Sequence, residues 1–503
     1  MELPELISLA KVISRNKIKQ VELVTDDAGP TSKVKKLYND LQEDRYQNDR
    51  EAAYAFFGRS RYRKHYFNRL KRRLRERLIN TLFLIDTGRP NFSDIQRAYY
   101  SCYRYAVAVK ILVGGYSRKA AVPLAKYTLR KAEKYEFTDI ILMMANVLRF
   151  HYGAMEGEEA LFRSYDQLIQ LQQRIFQVEL EVEGKYTELA MYFSAPGAHE
   201  SDFSKRAARY AHWAEQQLKE LKSYRLGLYG FSIITMQHQI SVDHERLLRD
   251  CDRALQFFRA GSSQASPTAL FSFSFKKIPS LIMLGEFEQA EATTTYCAGL
   301  VAKGRTNYFK LLEYQIILYF HARKYEKASS VLEKAYNTPG FSGQTHQSLE
   351  SWKIYDAYLY LLYEIGATAI KPDYRKGFRL QRFMNEVPKY SKDKRGANVT
   401  ILVLQVLFLL QQDKQSEIVD RMEPLKTYTY RYLRKDATFR SNCFLKMLIL
   451  LPACGFNKKA ILRRSAHLQK RLEDMPLSIS KQNLEAEIVP FEHLWEIATG
   501  LLD

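Results

Sequence analysis

The chain has 503 residues, 46% hydrophobic and 13% aromatic, enough apolar material for a large buried core and unlike a disordered chain. Its 77 basic and 56 acidic residues leave a net charge of +21, which favours anionic partners such as nucleic acid or an acidic protein surface. Five scattered cysteines, Cys102, Cys251, Cys297, Cys443 and Cys454, contain no C-x-x-C pair; they suggest neither a zinc site nor a disulfide framework and fit a reducing, cytoplasmic setting.

The first seventeen residues, MELPELISLAKVISRNK, begin acidic and lack the charged-then-apolar order of a signal peptide. Residues 1–85 are predicted to form a basic helical module. Within it, 39–51 (NDLQEDRYQNDRE) is rich in acids. Residues 59–78 (RSRYRKHYFNRLKRRLRERL) hold eight Arg and two Lys against one acid, Glu76. On a helix at about 100° per residue, Tyr66, Phe67, Leu70, Leu74 and Leu78 fall on one apolar arc. Lys64, Arg69, Lys71, Arg72, Arg73 and Arg75 fall opposite, and Arg77 lies at the edge. These six are the candidate anion-binding residues, because a guanidinium fork offers bidentate hydrogen bonds to phosphate or carboxylate. The competing expectation is that the acidic 39–51 stretch packs on this helix and neutralises it.

From residue 86 onward helical periodicity dominates, and period-two alternation is almost absent. Breakers at 86–94 (DTGRPNFSD), 194–202, 260–267, 337–344 and 392–398 separate stretches long enough for helical hairpins. Arginine and tyrosine interleave at 99–105 and 427–435; these stretches lie in amphipathic helices, so packing is expected in preference to base stacking. Further basic clusters at 117–131, 371–382, 389–396 and 456–472 could align along a repeat array. His238 and His244 are six apart, whereas a zinc pair on one helical face needs four. The run ILVLQVLFLL at 401–410 is too short for the roughly 20 apolar residues of a membrane span and is expected to be a buried helix. No phosphate-binding loop, dinucleotide fingerprint or nucleophile elbow occurs. No catalytic residue, cofactor, metal or small-molecule substrate is therefore expected, and the protein is read as a non-enzyme.

The clearest repeat lies at 270–336. Phe287 and Tyr325 are 38 apart, as are Ala290 and Ala328. Each segment runs as an apolar helix, a short polar turn, and a second helix that opens with an aromatic and then a small residue. The small residue lets two antiparallel helices approach to about 8–10 Å. Here the sequence resembles the tetratricopeptide repeat family. Tyr319, Ala328, Leu332 and Ala335 match that repeat's aromatic, small, large and small positions. Ala290 matches in the preceding segment, where Cys297 replaces the last small residue. Ile316 stands where the family usually has a small residue, the closing proline is missing, and the period exceeds 34. The resemblance implies an all-α fold in which 86–503 form a right-handed superhelical array of antiparallel hairpins, an α-solenoid whose groove binds a partner protein. Two functions follow as expectations: an interaction scaffold that also docks an anionic partner on the basic helix, or a protein that grips a nucleic-acid backbone.

Overall fold

The computed structural model describes residues 3–15, 33–43, 45–58, 64–86, 93–194, 201–260, 266–370, 383, 397–433, 438–480 and 484–502. These are helical or lie in connecting turns, and no β-strand occurs among them. The chain divides into two compact units, 1–174 and 175–503.

The first unit contains α1 (Leu3–Arg15), α2 (Lys33–Gln42), α3 (Asp49–Phe57), α4 (Lys64–Leu82), α5 (Asp94–Gly114), α6 (Arg118–Lys134), α7 (Thr138–Phe150), a π-helical turn (His151–Glu156) and the start of α8 (Glu159–Ser194). It has two cores. Leu6, Leu37, Leu41, Ala53, Leu70 and Leu74 join α1 to α4. Cys102, Ala106, Ala125, Leu129, Met144 and Leu148 join α5, α6 and α7.

In the second unit follow α9 (Ser201–Glu220), α10 (Tyr224–Ser241), α11 (His244–Ala260), α12 (Pro267–Met283), α13 (Phe287–Leu300), α14 (Thr306–His321), α15 (Tyr325–Asn337), α16 (His346–Glu364), α17 (Ala397–Gln411), α18 (Gln415–Tyr432), α19 (Phe439–Ala453), α20 (Lys458–Glu473) and α21 (Phe491–Gly500). The apolar run 401–410 lies in α17, with Val403, Leu404, Leu407 and Phe408 fully buried. No described helix is long and apolar enough to cross a membrane.

One turn recurs through both units. Backbone N–H groups of Ser117, Phe137, Asp243, Glu286, Lys324, Ala367, Lys414 and Phe456 each donate to the carbonyl five residues earlier, at 2.8–3.0 Å. The residue just before each donor is left-handed: Tyr116, Glu136, Val242, Gly285, Arg323, Gly366, Asp413 and Gly455. This is the six-to-one closure that satisfies orphan carbonyls at a helix end. In the second unit the acceptors are His238, Leu281, Tyr319, Leu362, Leu409 and Leu451, at steps of 38 to 47 residues.

The repeat at 270–336 is packed as its residue sizes require. Ala290, Cys297, Ala328 and Ala335 are fully buried, Leu332 is buried, and Phe287 and Tyr325 are half-buried against the same core. The Tyr319 hydroxyl donates to Glu291 at 3.1 Å, which ties α14 to α13. Ile316 is buried where a small residue was expected, because α14 is apolar nearly all round and is enclosed on all sides. Two connections meet at Gly304 and Gly340: a Cβ on Gly304 would lie 2.5 Å from the Pro339 carbonyl oxygen.

The C-terminal segment 484–502 runs back along the unit. The Glu487 carbonyl accepts from His321 Nε2 (3.0 Å), and the Ala486 carbonyl accepts from the Thr400 hydroxyl (3.4 Å). Arg323 donates to His493 and Glu496, each at 2.9 Å. Arg440, 1% exposed, forks onto Glu487 at 2.6 and 2.9 Å, reaches Glu492 at 2.8 Å, and also donates to the Leu472 and Met475 carbonyls. The segment thus covers faces of α14, α17 and α19.

Candidate anion-binding surface

Helix α4 docks through Phe67, Leu70, Leu74 and Leu78, all buried. The buried arc is rotated from the one expected. Tyr66, placed on the apolar face, is 45% exposed and stacks on Phe57 at 6.2 Å. Lys71, placed among the exposed cations, is buried. It lies one turn from both Phe67 and Leu74, its ammonium stands 5.3 Å from the Phe67 ring centre, and it pairs with Asp49 at the start of α3. Lys71 is therefore not part of an exposed anion-binding surface. Arg77 lies at the edge of the face, and its Nη1 is buried with no hydrogen-bond partner among the described residues.

The remaining arginines face solvent. Arg69 and Arg73 are exposed, and no ion pair is found for either among the described residues. Arg72 bonds Glu76 within the helix at 3.0 Å, and Arg75 bonds Glu5 of α1 at 2.7 Å. All four members of those pairs are largely exposed, so each pair contributes about 0–1 kcal/mol. Residues 59–63 and the side chain of Lys64 lie outside the described residues.

The acids of 39–51 are mostly engaged within their own segment. Asp40 holds Arg45 (3.0 Å) and the Tyr46 hydroxyl (2.7 Å); Glu43 also holds Arg45. Glu51 accepts from the Gln47 N–H at 2.9 Å, while Asn48 caps α3. Burial and the bond to Asp40 push the Tyr46 hydroxyl up to about 12. Of these acids, Asp49 reaches α4, where it pairs with Lys71.

Elsewhere the structure separates residues that could have formed a site. His238 pairs with Asp250 at 2.8 Å, whereas His244 bonds Ser280 at 3.0 Å, so the two rings serve different partners. No cluster of three or more His, Cys, Asp or Glu among the described residues is placed to hold a metal. The Tyr-rich stretch 99–105 packs through Tyr103, which bonds Asp139, and through Tyr105, edge-on to Tyr127. Clusters 371–382 and 389–396 lie outside the described residues. In 456–472, Arg464 donates to the Ala453 carbonyl and Arg471 stands over Phe439, so part of that charge is used locally.

Two cavities were not signalled by any motif. One, about 500 Å³ between α17 and α18, is lined by Glu417, Asp420 and Pro424, with Arg421 tied to the buried Gln405 at 2.6 Å. The other, about 440 Å³, lies among α5, α6, α7, the π turn and α8. Three cations and two phenylalanines line it and no acid does. Comparison with family models, curated proteins and solved structures finds no match for this chain.

Proposed function

We propose that this chain is a non-enzymatic interaction scaffold: a basic helical module over 1–85, then a tetratricopeptide-like, right-handed superhelical array of hairpins, with the α4 arginines binding an anionic partner. The observation that carries the reading is the state of those arginines. Arg69 and Arg73 stand in solvent, and the acids beside Arg72 and Arg75 are themselves exposed, so a polyanion can replace them at little cost. The recurring left-handed turn supports the array. A partner groove over α14, α17 and α19 is a weaker part of the reading, because the chain's own C-terminal segment covers those faces. The preponderance of guanidinium over ammonium in 59–78 favours bidentate anion contact, which phosphates offer as carboxylates do, and a nucleic-acid backbone is therefore the second reading.

The test changes Arg69, Arg72, Arg73 and Arg75 together to Gln, which keeps helix propensity and the buried face. Binding to a DNA duplex and to poly-glutamate is measured against salt, with thermal unfolding of the same variant. On DNA the slope of log K against log salt should shrink by about 0.9 for each lost phosphate contact. Loss confined to poly-glutamate assigns an acidic protein as the partner. Unchanged binding to both, with a lower unfolding temperature, means the arginines are structural and overturns the reading.

A further inference from the structure

We infer that the cavity among α5, α6, α7 and α8 is a binding site for a small ligand that joins a flat apolar ring to an oxyanion. Its volume, about 440 Å³, lies within the range of roughly 300–1,000 Å³ typical of small-molecule sites. Lys110, Arg118 and Arg149 line it. Arg149 is already bonded to Asp166 (2.7 Å) and Asn146 (2.9 Å), so its charge is offset and its position fixed. No ion pair is found for Lys110 or Arg118 among the described residues, and no acid lines the space. A cavity with surplus positive charge and no carboxylate selects an anion; the α17–α18 cavity, with Glu417 and Asp420, does not.

The apolar half of the site is equally specific. Phe150 and Phe162, 52% and 40% exposed, both line the space and offer ring surface to a ligand. The Arg118 guanidinium lies 5.4 Å from the Phe150 ring centre, which holds the cation beside an apolar face. An aromatic ring held in this space, which both phenylalanines line, would have its acidic substituent within reach of Arg118.

A second, independent observation is the π-helical turn His151–Glu156, which forms part of the wall through Gly153 and Ala154. Such turns are rare, and they collect at functional sites. Here the turn is held in place: His151 Nε2 pairs with Glu156 at 2.8 Å, and buried Tyr152 stacks on Tyr165 at 5.9 Å. Gly153 lets the turn touch Phe162, because a Cβ there would lie 2.7 Å from that ring. These contacts hold the wall, and Phe162 packs against it where it lines the cavity.

The test is calorimetric titration of the full chain with 1-naphthyl phosphate, 2-naphthoate, 1-naphthol and inorganic phosphate. A joined ring and oxyanion should bind at least about tenfold more tightly than either 1-naphthol or phosphate alone, and the stronger of the two acids identifies the oxyanion. Arg118→Gln should reduce the joined ligand toward naphthol; Phe162→Ala should reduce it toward phosphate. Arg69→Gln with Arg73→Gln, remote in sequence on α4, should leave it unchanged. Helical circular dichroism of each variant guards against loss of fold; if Arg118→Gln fails to fold, Lys110→Gln takes its place. No saturable binding by either acid overturns the inference. So does binding that Arg118→Gln and Phe162→Ala leave intact, or binding lost with the α4 arginines.

Discussion

His321 shows how burial sets a titration. Desolvation pushes its imidazole down to about 4, and the nearby Arg440 and His493 push in the same direction. The neutral ring donates to the Glu487 carbonyl. A histidine whose folded pKa lies below its unfolded value of about 6.5 stabilises the fold above 6.5 and loses that contribution as pH falls toward 4. His321→Gln can donate the same bond but cannot titrate. Unfolding in denaturant at several pH values should show the wild type losing about 3 kcal/mol relative to this variant between pH 7 and 4. Parallel pH dependences would mean that the ring is not held neutral. None of this was legible in the sequence, where His321 lies in an apolar run with no partner within reach. Lys71 failed for a related reason. The periodicity located the α4 face within about one residue, but only the position of α3 and Asp49 decides which flank is covered.

At the scale of the element, the helices and the Gly- and Pro-rich connection at 337–344 were legible, and most of the left-handed turns were not. Five of the eight left-handed turn positions are Tyr116, Glu136, Val242, Arg323 and Asp413, none of which signals a turn as glycine does. The steps between turns in the second unit vary from 38 to 47 residues, which erases any strict period. The repeat at 270–336 stood out because one of its two turns has glycine, Gly285, and because its Ala positions coincide. Val242 gives a direct test. A β-branched residue at φ +57 is strained by about 1–2 kcal/mol, whereas asparagine tolerates that conformation. Val242→Asn should stabilise the chain by roughly 0.5–1 kcal/mol. The converse, Gly285→Ala at φ +78, adds a Cβ that meets no atom within 4 Å and should destabilise through backbone strain. If both substitutions destabilise, side-chain packing outweighs strain in these turns. Melting temperatures of the two variants decide it.

For the molecule as a whole, hairpins packed on their neighbours would give a second unit without distant contacts, and the C-terminal segment breaks that rule. His321 and Glu487 are 166 residues apart, and Arg323 and Glu496 are 173 apart. No periodicity in a sequence announces such a return, so the expected open groove was drawn without it. Whether the segment is a detachable strap or part of the core follows from what it leaves behind. Leu484, Ile488, Val489, Phe491, Leu494 and Trp495 are buried, so removal would uncover their apolar contacts. Arg440, 1% exposed, would keep its two carbonyl acceptors but lose both carboxylates, and breaking a buried pair costs about 3–5 kcal/mol. Ending the chain at residue 480 should therefore lower the unfolding temperature sharply and broaden the transition, as read by circular dichroism. Arg440→Met with Glu487→Met removes the two fully buried charges together, leaves only Glu492, which is 37% exposed, and should cost less than the truncation, since apolar replacement of a buried pair is often close to neutral. A truncated chain with the unfolding temperature of the full chain would mean that the segment is a removable occupant of those helix faces, and would restore the groove as a place for a partner.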